Sequence, residues 1–141
     1  MKIAIGSNVV ENSYGGGNQF AKNLKEFLIN SNHRVTTNLL DKDIDIILIT
    51  EPRKYLKISS FSIIEALKNK LKFNKKVKII IRVNENDQRK SSLFMNSIIR
   101  FVISRCDHVI FISNYLNEIF KIKNNFSIIH NGANKNIFTS T

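Results

Sequence analysis

The sequence predicts a single α/β domain with a mainly parallel sheet and helices on both faces. Short β-branched segments alternate along the chain with segments whose apolar residues recur at helical spacing, the pattern of repeated strand and crossover-helix units. Two of the strand segments, 44–49 and 77–81, are apolar nearly throughout, as in strands that helices cover on both sides. A chain of 141 residues, 43% of them hydrophobic, has room for one core and little for a second full-sized domain.

Strands and helices alternate in this prediction. The strands are expected at residues 2–5, 35–38, 44–50, 77–83, 108–112 and 126–130. Each helix is predicted from an apolar stripe, which in an amphipathic helix faces the core. The stripes consist of Phe20, Leu24, Phe27 and Leu28; of Ile63, Ile64, Leu67 and Leu71; of Phe94, Ile98, Phe101 and Val102; and of Leu116, Ile119 and Phe120.

The chain is strongly basic. It has 22 Lys and Arg residues against 11 Asp and Glu, a formal charge of +11, which attracts anionic partners such as acidic lipid, phosphorylated substrates or nucleic acid. A solvated helix face is the simplest interpretation of the densest basic cluster. Peripheral contact with an anionic membrane is the alternative that we keep open, and nucleic acid is the less favoured partner. The cluster comprises Lys68, Lys70, Lys72, Lys75, Lys76 and Lys78.

Cysteine and histidine usage argues against disulfide and metal chemistry. Cys106 is the only cysteine, so the chain can form no internal disulfide and no thiolate cluster, as is typical of the reducing cytoplasm. We interpret Cys106 as a small buried side chain and not as a nucleophile. No His or Cys residues have metal-ligand spacing, and we predict neither a metal nor another cofactor. The apolar segments are shorter than the roughly 20 residues of a membrane span, which favours a cytoplasmic location.

Ligand-binding residues are expected just after the strands, because open parallel sheets bind ligands outside the carboxyl ends of their strands. After the first strand, Gly15, Gly16 and Gly17 stand directly before the first predicted helix. Their missing side chains would let a ligand approach the backbone, and the helix N-terminus offers N–H groups to an anion. We interpret this segment as a phosphate or sugar contact. The alternative is a flexible glycine entry to the helix, since the spacing differs from the dinucleotide-binding pattern Gly-x-Gly-x-x-Gly.

A dense polar segment, 82–89, follows the fourth strand. Arg82, Asn84 and Asp87 could orient hydroxyl and phosphate groups through charge-assisted hydrogen bonds. A solvated loop in which Asp87 or Ser91 caps the next helix explains the same residues equally well. Both interpretations stay open at the level of sequence.

The fifth and sixth strands end in short polar turns. Ser113 follows the fifth strand where a helix N-cap is needed, so capping is its favoured role, and an anion at that helix start is compatible with it. His130, Asn131 and Gly132 follow the sixth strand, and Asn-Gly is first of all a tight-turn dipeptide. We therefore predict that His130 is structural.

Taken in order, these segments resemble the N-terminal domain of glycosyltransferase family 4, and the resemblance spans nearly the whole chain. The Ile-Ser pair that ends the fifth strand, followed at this distance by His-Asn-Gly and a Phe, is the most specific motif. Enzymes of this family have the GT-B fold, so the resemblance implies that the chain is its Rossmann-like, N-terminal half. The motifs are those at 1–5, 15–20, 32–35 (Asn-His-Arg-Val in place of Gly-His-x-Val), 81–89, 94–96, 106–113 and 128–132, with Phe138.

The resemblance also implies roles for the candidate site residues. The glycines would lie near the donor diphosphate and the acceptor, and the polar segment after the fourth strand would line the acceptor side. The residue after the fifth strand would start a helix that faces the cleft, and the last turn would approach a second domain. No catalytic residue is assigned. The implied cleft residues are Gly15, Gly16, Gly17, Arg82, Asn84, Asp87, Ser113 and Asn131.

The implied function is that of a retaining enzyme that transfers a sugar from a nucleotide-sugar donor to a hydroxyl acceptor. The donor contacts of such enzymes come mainly from a C-terminal domain, including two glutamates eight positions apart, a separation that no two glutamates of this chain have. Because the chain reaches Thr141 where the linker should begin, we expect that domain to be absent, the chain to be inactive alone, and a separate C-terminal half to be a partner. The alternative function is a noncatalytic binding module with a basic surface for anionic lipid or nucleic acid.

Overall fold

A computed structural model describes residues 1–11, 15–54 and 57–132, and in these ranges the fold is α/β. Every neighbouring pair in its six-stranded sheet, of order β2-β1-β3-β4-β5-β6, is parallel, which confirms the predicted fold class. The strands are Lys2–Ile5 (β1), Arg34–Thr36 (β2), Ile46–Ile49 (β3), Lys78–Val83 (β4), His108–Phe111 (β5) and Phe126–Ile128 (β6). The helices are Gly15–Asn30 (α1), Ile63–Lys72 (α2), Asp87–Lys90 (α3), Met95–Ile103 (α4) and Asn114–Phe120 (α5).

Helices cover both faces of the sheet, because side chains of one strand alternate between two apolar clusters. In β1, Ile3 and Ile5 pack with Ala21 of α1. Ala4, between them, belongs to the other cluster, which contains the buried residues of α2, α4 and α5. Alternate residues of a strand point to opposite faces. Helix α1 therefore lies on one face, and α2, α4 and α5 lie together on the other.

Two predicted apolar stripes were right only in part: Ile63 of α2 and Val102 of α4 are buried in the core as predicted, and Leu67 packs against it. In α4 the sheet-facing residues are Met95, Ile99 and Val102, whereas Phe94 and Phe101 are exposed. In α2 the sheet-facing apolar residues include Ile63 and Ala66, whereas Ile64 and Leu71 are exposed; in α1 Phe27 is exposed as well. Both helices carry apolar residues on two neighbouring faces, and the face with the better fit to the sheet is the buried one.

The predicted strand 35–38 is shorter and lies one residue earlier in the structure. Strand β2 ends at Thr36, and the Asn38 side chain accepts a hydrogen bond from the Leu40 N–H at 3.0 Å. Such an Asx-type turn competes with continuation of the strand. None of the helices in the described part of the chain is long and apolar enough to cross a membrane.

Candidate functional site at the carboxyl edge of the sheet

The parallel topology brings the predicted site residues to one edge of the sheet. Helix α1, which begins at Gly15, follows β1, and the other candidates stand at or after the ends of β4, β5 and β6. Because all strands run in the same direction, these chain segments share the carboxyl edge. Their positions fit a common site there, while their binding roles stay predictions.

Arg82 is the most unusual residue at this edge. It is only 6% exposed, although it carries a guanidinium group. Its Nη2 donates a hydrogen bond to Asn131 Oδ1 at 2.7 Å, and its Cζ lies 3.8 Å from the centroid of the Phe20 ring. Burial lowers the pKa of the Arg82 guanidinium, yet arginine starts from so high a value that it stays protonated. The charge is thus stabilised by an aromatic face and a neutral amide.

No carboxylate neutralises Arg82 within the described ranges, where no ion pair involves it. The remaining stretches, 12–14, 55–56 and 133–141, contain no Asp or Glu. A buried charge without a counterion lowers stability, because the partial contacts replace only part of its hydration. An anionic ligand bound at this position would recover the lost stability.

The three glycines form the first turn of α1, and the prediction that they precede the helix was wrong. Gly15 has a positive φ of 69°, which favours glycine. A side chain built at Gly16 or Gly17 would meet nothing within 4 Å. Neither residue is needed for packing within the described structure, so the open space beside them is available to a ligand.

Substitutions at neighbouring glycines should therefore have opposite effects on stability. Gly16→Ala should raise the free energy of unfolding by about 0.5 kcal/mol, because alanine loses less backbone entropy on folding. Gly15→Ala should lower it by about 1 kcal/mol, because a Cβ is disfavoured at positive φ. Urea denaturation of both variants measures the two changes. Equal destabilisation by both would contradict the distinction between the two positions.

Asp87 serves the scaffold. Neither Asp87 nor Ser91 is the N-cap residue of the next helix, but the Asp87 carboxylate does accept a hydrogen bond from the first turn of α4, as a capping side chain would. Asn86 is the N-cap of α3 and accepts a hydrogen bond from the Arg89 N–H at 2.7 Å. Asp87 Oδ1 accepts one from the Asn96 N–H at 3.0 Å, while the Asp87 N–H donates to Asn96 Oδ1 at 3.1 Å. Ser91 ends α3 with a positive φ of 48°. The Asp87 carboxylate thus fastens the first turn of α4 to α3.

Ser113 caps α5, as the preferred interpretation predicted. Its hydroxyl accepts a hydrogen bond from the Leu116 N–H at 3.4 Å. Ser113 and Asn84 also line one open cleft of about 340 Å³ between the segments that follow β4 and β5. This volume is at the lower end of the range for small-molecule sites. The other lining residues are Glu85, Asn86, Gln88, Arg89, Ile112, Tyr115 and Leu116.

Sequence reasoning missed a charged cluster at the same edge. Arg53 Nε lies 2.7 Å from Glu51 Oε1, and Arg53 Nη2 lies 3.2 Å from Glu85 Oε2. The three side chains are 12–17% exposed and connect the segments after β3 and β4. Polar residues directly after a buried strand were the available signal, and the Glu51 segment satisfies it as well as the 82–89 segment does.

The cysteine and histidine candidates show no sign of reactive chemistry. Burial, helped by Asp107, raises the pKa of the Cys106 thiol to about 12, so the group stays protonated at neutral pH. Cys106 precedes β5 and thus lies at the amino edge, away from the candidate site. His130 Nδ1 lies 3.0 Å from the Ile112 carbonyl oxygen after β5. Among the residues that the structure describes, no group of three His, Cys, Asp or Glu side chains could hold a metal ion.

Comparison with known proteins assigns no family. No family model matches the chain, and neither does any curated protein.

Proposed function

We propose that the carboxyl edge of this sheet binds a phosphorylated sugar substrate, and that the chain is the acceptor-side half of a retaining glycosyltransferase. The observation that carries the proposal is the buried Arg82 guanidinium, which has no carboxylate partner among the residues that the structure describes. A phosphate group would supply the missing counterion and charge-assisted hydrogen bonds. The order of family-4-like motifs along the chain supports the sugar-transfer part of the proposal.

Two further features fit a phosphorylated substrate at this edge. The first turn of α1 carries the positive end of a helix dipole, and Phe20 of the same helix contacts Arg82. Asn84, two residues after Arg82, lines the cleft, and an amide side chain at this position is suited to hydrogen-bond sugar hydroxyls. We assign the phosphate to Arg82 and α1, and the sugar hydroxyls to the cleft.

In this proposal the chain binds and orients the acceptor, and a second domain holds the nucleotide-sugar donor. Fixing an acceptor hydroxyl relative to the donor accelerates transfer by removing the entropy cost of bringing two molecules together. None of the described side chains is assigned as a general acid or base.

Arg82→Met tests the phosphate contact. Methionine has a similar length and no charge, so binding of glucose 1-phosphate and of inorganic pyrophosphate should weaken at least tenfold, about 1.4 kcal/mol. Thermal stability should stay equal or rise, because an uncompensated buried charge has been removed. Calorimetric titration measures the affinities, and a thermal melt measures the stability.

Arg34→Met is the matched control, because it removes the same charge from an exposed residue at the start of β2. It should leave anion binding within about twofold of wild type, since surface charges are well screened at physiological salt. Equal losses in the two variants would show that only net charge attracts the anion. If Arg82→Met bound both anions as tightly as wild type, the proposal of a phosphate site at Arg82 would be wrong.

The sugar part has its own test. Glucose 1-phosphate should bind more tightly than inorganic phosphate, and Asn84→Ala should reduce that difference without changing phosphate affinity. A site that binds both ligands equally would be an anion site without sugar recognition, and the glycosyltransferase proposal would then be wrong.

A further inference from the structure

Large apolar side chains of α2 and α4 are exposed where a core position was expected. Ile64 and Leu71 of α2 are 55% and 73% exposed. Phe94, at the start of α4, is 69% exposed, and Phe101 is 48% exposed. Leu93, the residue before Phe94, is 86% exposed. We call these five residues the apolar furrow.

Each helix contributes one exposed apolar side to the furrow. Ile64 and Leu71 are seven positions apart, as are Phe94 and Phe101, so each pair lies on one side of its helix. The opposite side of α2 is covered by the segment before β3, because Asn69 Nδ2 donates to the Leu39 carbonyl at 3.0 Å.

The opposite side of α4 is occupied in the same way. Arg100 donates hydrogen bonds to the carbonyls of Ile119 and Phe120 at 2.7 and 3.1 Å, so α5 lies there. Helices α2 and α4 pack on the same sheet face and connect successive strands, β3 to β4 and β4 to β5. We infer that their exposed apolar sides lie at the solvent surface of this helix layer, away from the Leu39 segment and from α5.

The surroundings of the furrow are basic. The sequence has no Asp or Glu between Glu65 and Glu85, and none between Asp87 and Asp107. Glu65 itself pairs with Lys54. Arg100 lies on the α5 side of α4, and Lys78 points to the α1 face of the sheet. The remaining exposed basic residues of the two helices and the segments that follow them are Lys68, Lys72, Lys75, Lys76 and Arg105.

We propose that the apolar furrow and its basic border dock on the surface of an anionic lipid bilayer. Phenylalanine and leucine side chains would enter the boundary between headgroups and acyl chains, and the lysines and arginines would contact lipid phosphates. A second copy of this chain fits poorly, because it would bring an equally basic border into the interface. Charge complementarity thus selects the anionic membrane.

This docking is independent of the proposed function. The furrow lies on the sheet face opposite α1, whereas the Arg82 side chain contacts Phe20 of α1. A bilayer on the furrow would leave the α1 side of the sheet in solution. Failure of either proposal therefore leaves the other standing.

Vesicle sedimentation of the full chain tests the proposal. The chain should sediment with phosphatidylcholine vesicles that contain phosphatidylglycerol and should stay in solution with phosphatidylcholine alone. The double variant Phe94→Ser/Phe101→Ser should partition at least tenfold more weakly. The double variant Lys68→Gln/Lys72→Gln should partition about thirtyfold more weakly, at roughly 1 kcal/mol for each of the two basic residues near the surface.

Matched controls lie away from the furrow. Phe27→Ser changes a phenylalanine of similar exposure on α1, and Lys25→Gln/Lys57→Gln removes two exposed charges elsewhere. Both controls should bind vesicles like wild type. Equal losses in controls and furrow variants would show general charge attraction and overturn the proposal, as would the absence of sedimentation with anionic vesicles.

Self-association of the chain through the furrow would give a different result from membrane binding. If sedimentation velocity shows a dimer that Phe94→Ser/Phe101→Ser dissociates, while vesicles do not bind, the furrow is an interface between copies and the membrane proposal is wrong. Thermal melts check that the variants fold. If the phenylalanine variants do not fold, the lysine variants still test the proposal. The lysine side chains are exposed and can be changed without altering the core.

Discussion

Phe111→Ala is expected to lower the free energy of unfolding by about 3–5 kcal/mol. The Phe111 side chain is fully buried at the end of β5. Its ring centroid lies 6.0 Å from that of Phe120 in α5 and 6.1 Å from that of Phe126 in β6. Truncation would leave a cavity between β5, α5 and β6 and would remove both aromatic contacts. Because domains of this size have about 5–15 kcal/mol of stability, the variant should approach the unfolding threshold at room temperature.

Urea denaturation followed by circular dichroism measures this change. Phe27→Ala is the control, since Phe27 is 67% exposed on α1, and its free energy of unfolding should stay within about 0.5 kcal/mol of wild type. A loss below 1 kcal/mol for Phe111→Ala would show that β5 and α5 are not packed as described.

Arg53→Met should destabilise the fold by about 2–3 kcal/mol, the second largest effect that we expect. Arg53 contacts both Glu51 and Glu85, and removing its charge would leave two carboxylates close together at a partly buried edge. Breaking a buried ion pair from one side is costly because the remaining charge has lost its counterion and much of its hydration. The estimate lies below the value for fully buried pairs because some solvent reaches all three side chains.

Lys54→Met is the neighbouring control. Lys54 pairs with Glu65, but their side chains are 49% and 40% exposed, and such surface pairs contribute about 0–1 kcal/mol. Chemical denaturation should show that the free energies of unfolding of the two variants differ by more than 1 kcal/mol. If Arg53→Met were as stable as Lys54→Met, the Glu51–Arg53–Glu85 cluster would have no structural role.

The carboxyl edge thus holds two arginines, one partly and one almost fully buried, that differ in their partners. Arg53 is paired with two carboxylates, and its substitution should cost stability. Arg82 has an amide and an aromatic ring as partners. Its substitution should not lower the free energy of unfolding and should weaken anion binding. This contrast separates an arginine that stabilises the scaffold from one that is available to a ligand, and the two methionine variants measure it directly.

Local sequence patterns determined the fold class, the approximate strand positions and the edge at which polar residues gather. Runs such as 44–50 and 77–83 are recognisable because apolar, β-branched strands differ locally from amphipathic helices. Their parallel arrangement then places Arg82, Ser113 and Asn131 at one edge, since parallel strands share their direction. Ser113 was also predictable as a cap, because capping depends only on residues within one helical turn.

Only the tertiary structure decided which apolar side of a helix is buried and which polar residues have partners. Met95 and not Phe94 faces the sheet, because two neighbouring apolar stripes compete and the fit against distant strands selects one of them. Arg82 is buried by Phe20 and Asn131, and Asp87 is engaged by Asn96. Desolvation and hydrogen bonding depend on groups that the fold brings together from separate segments, and no local pattern contains that information.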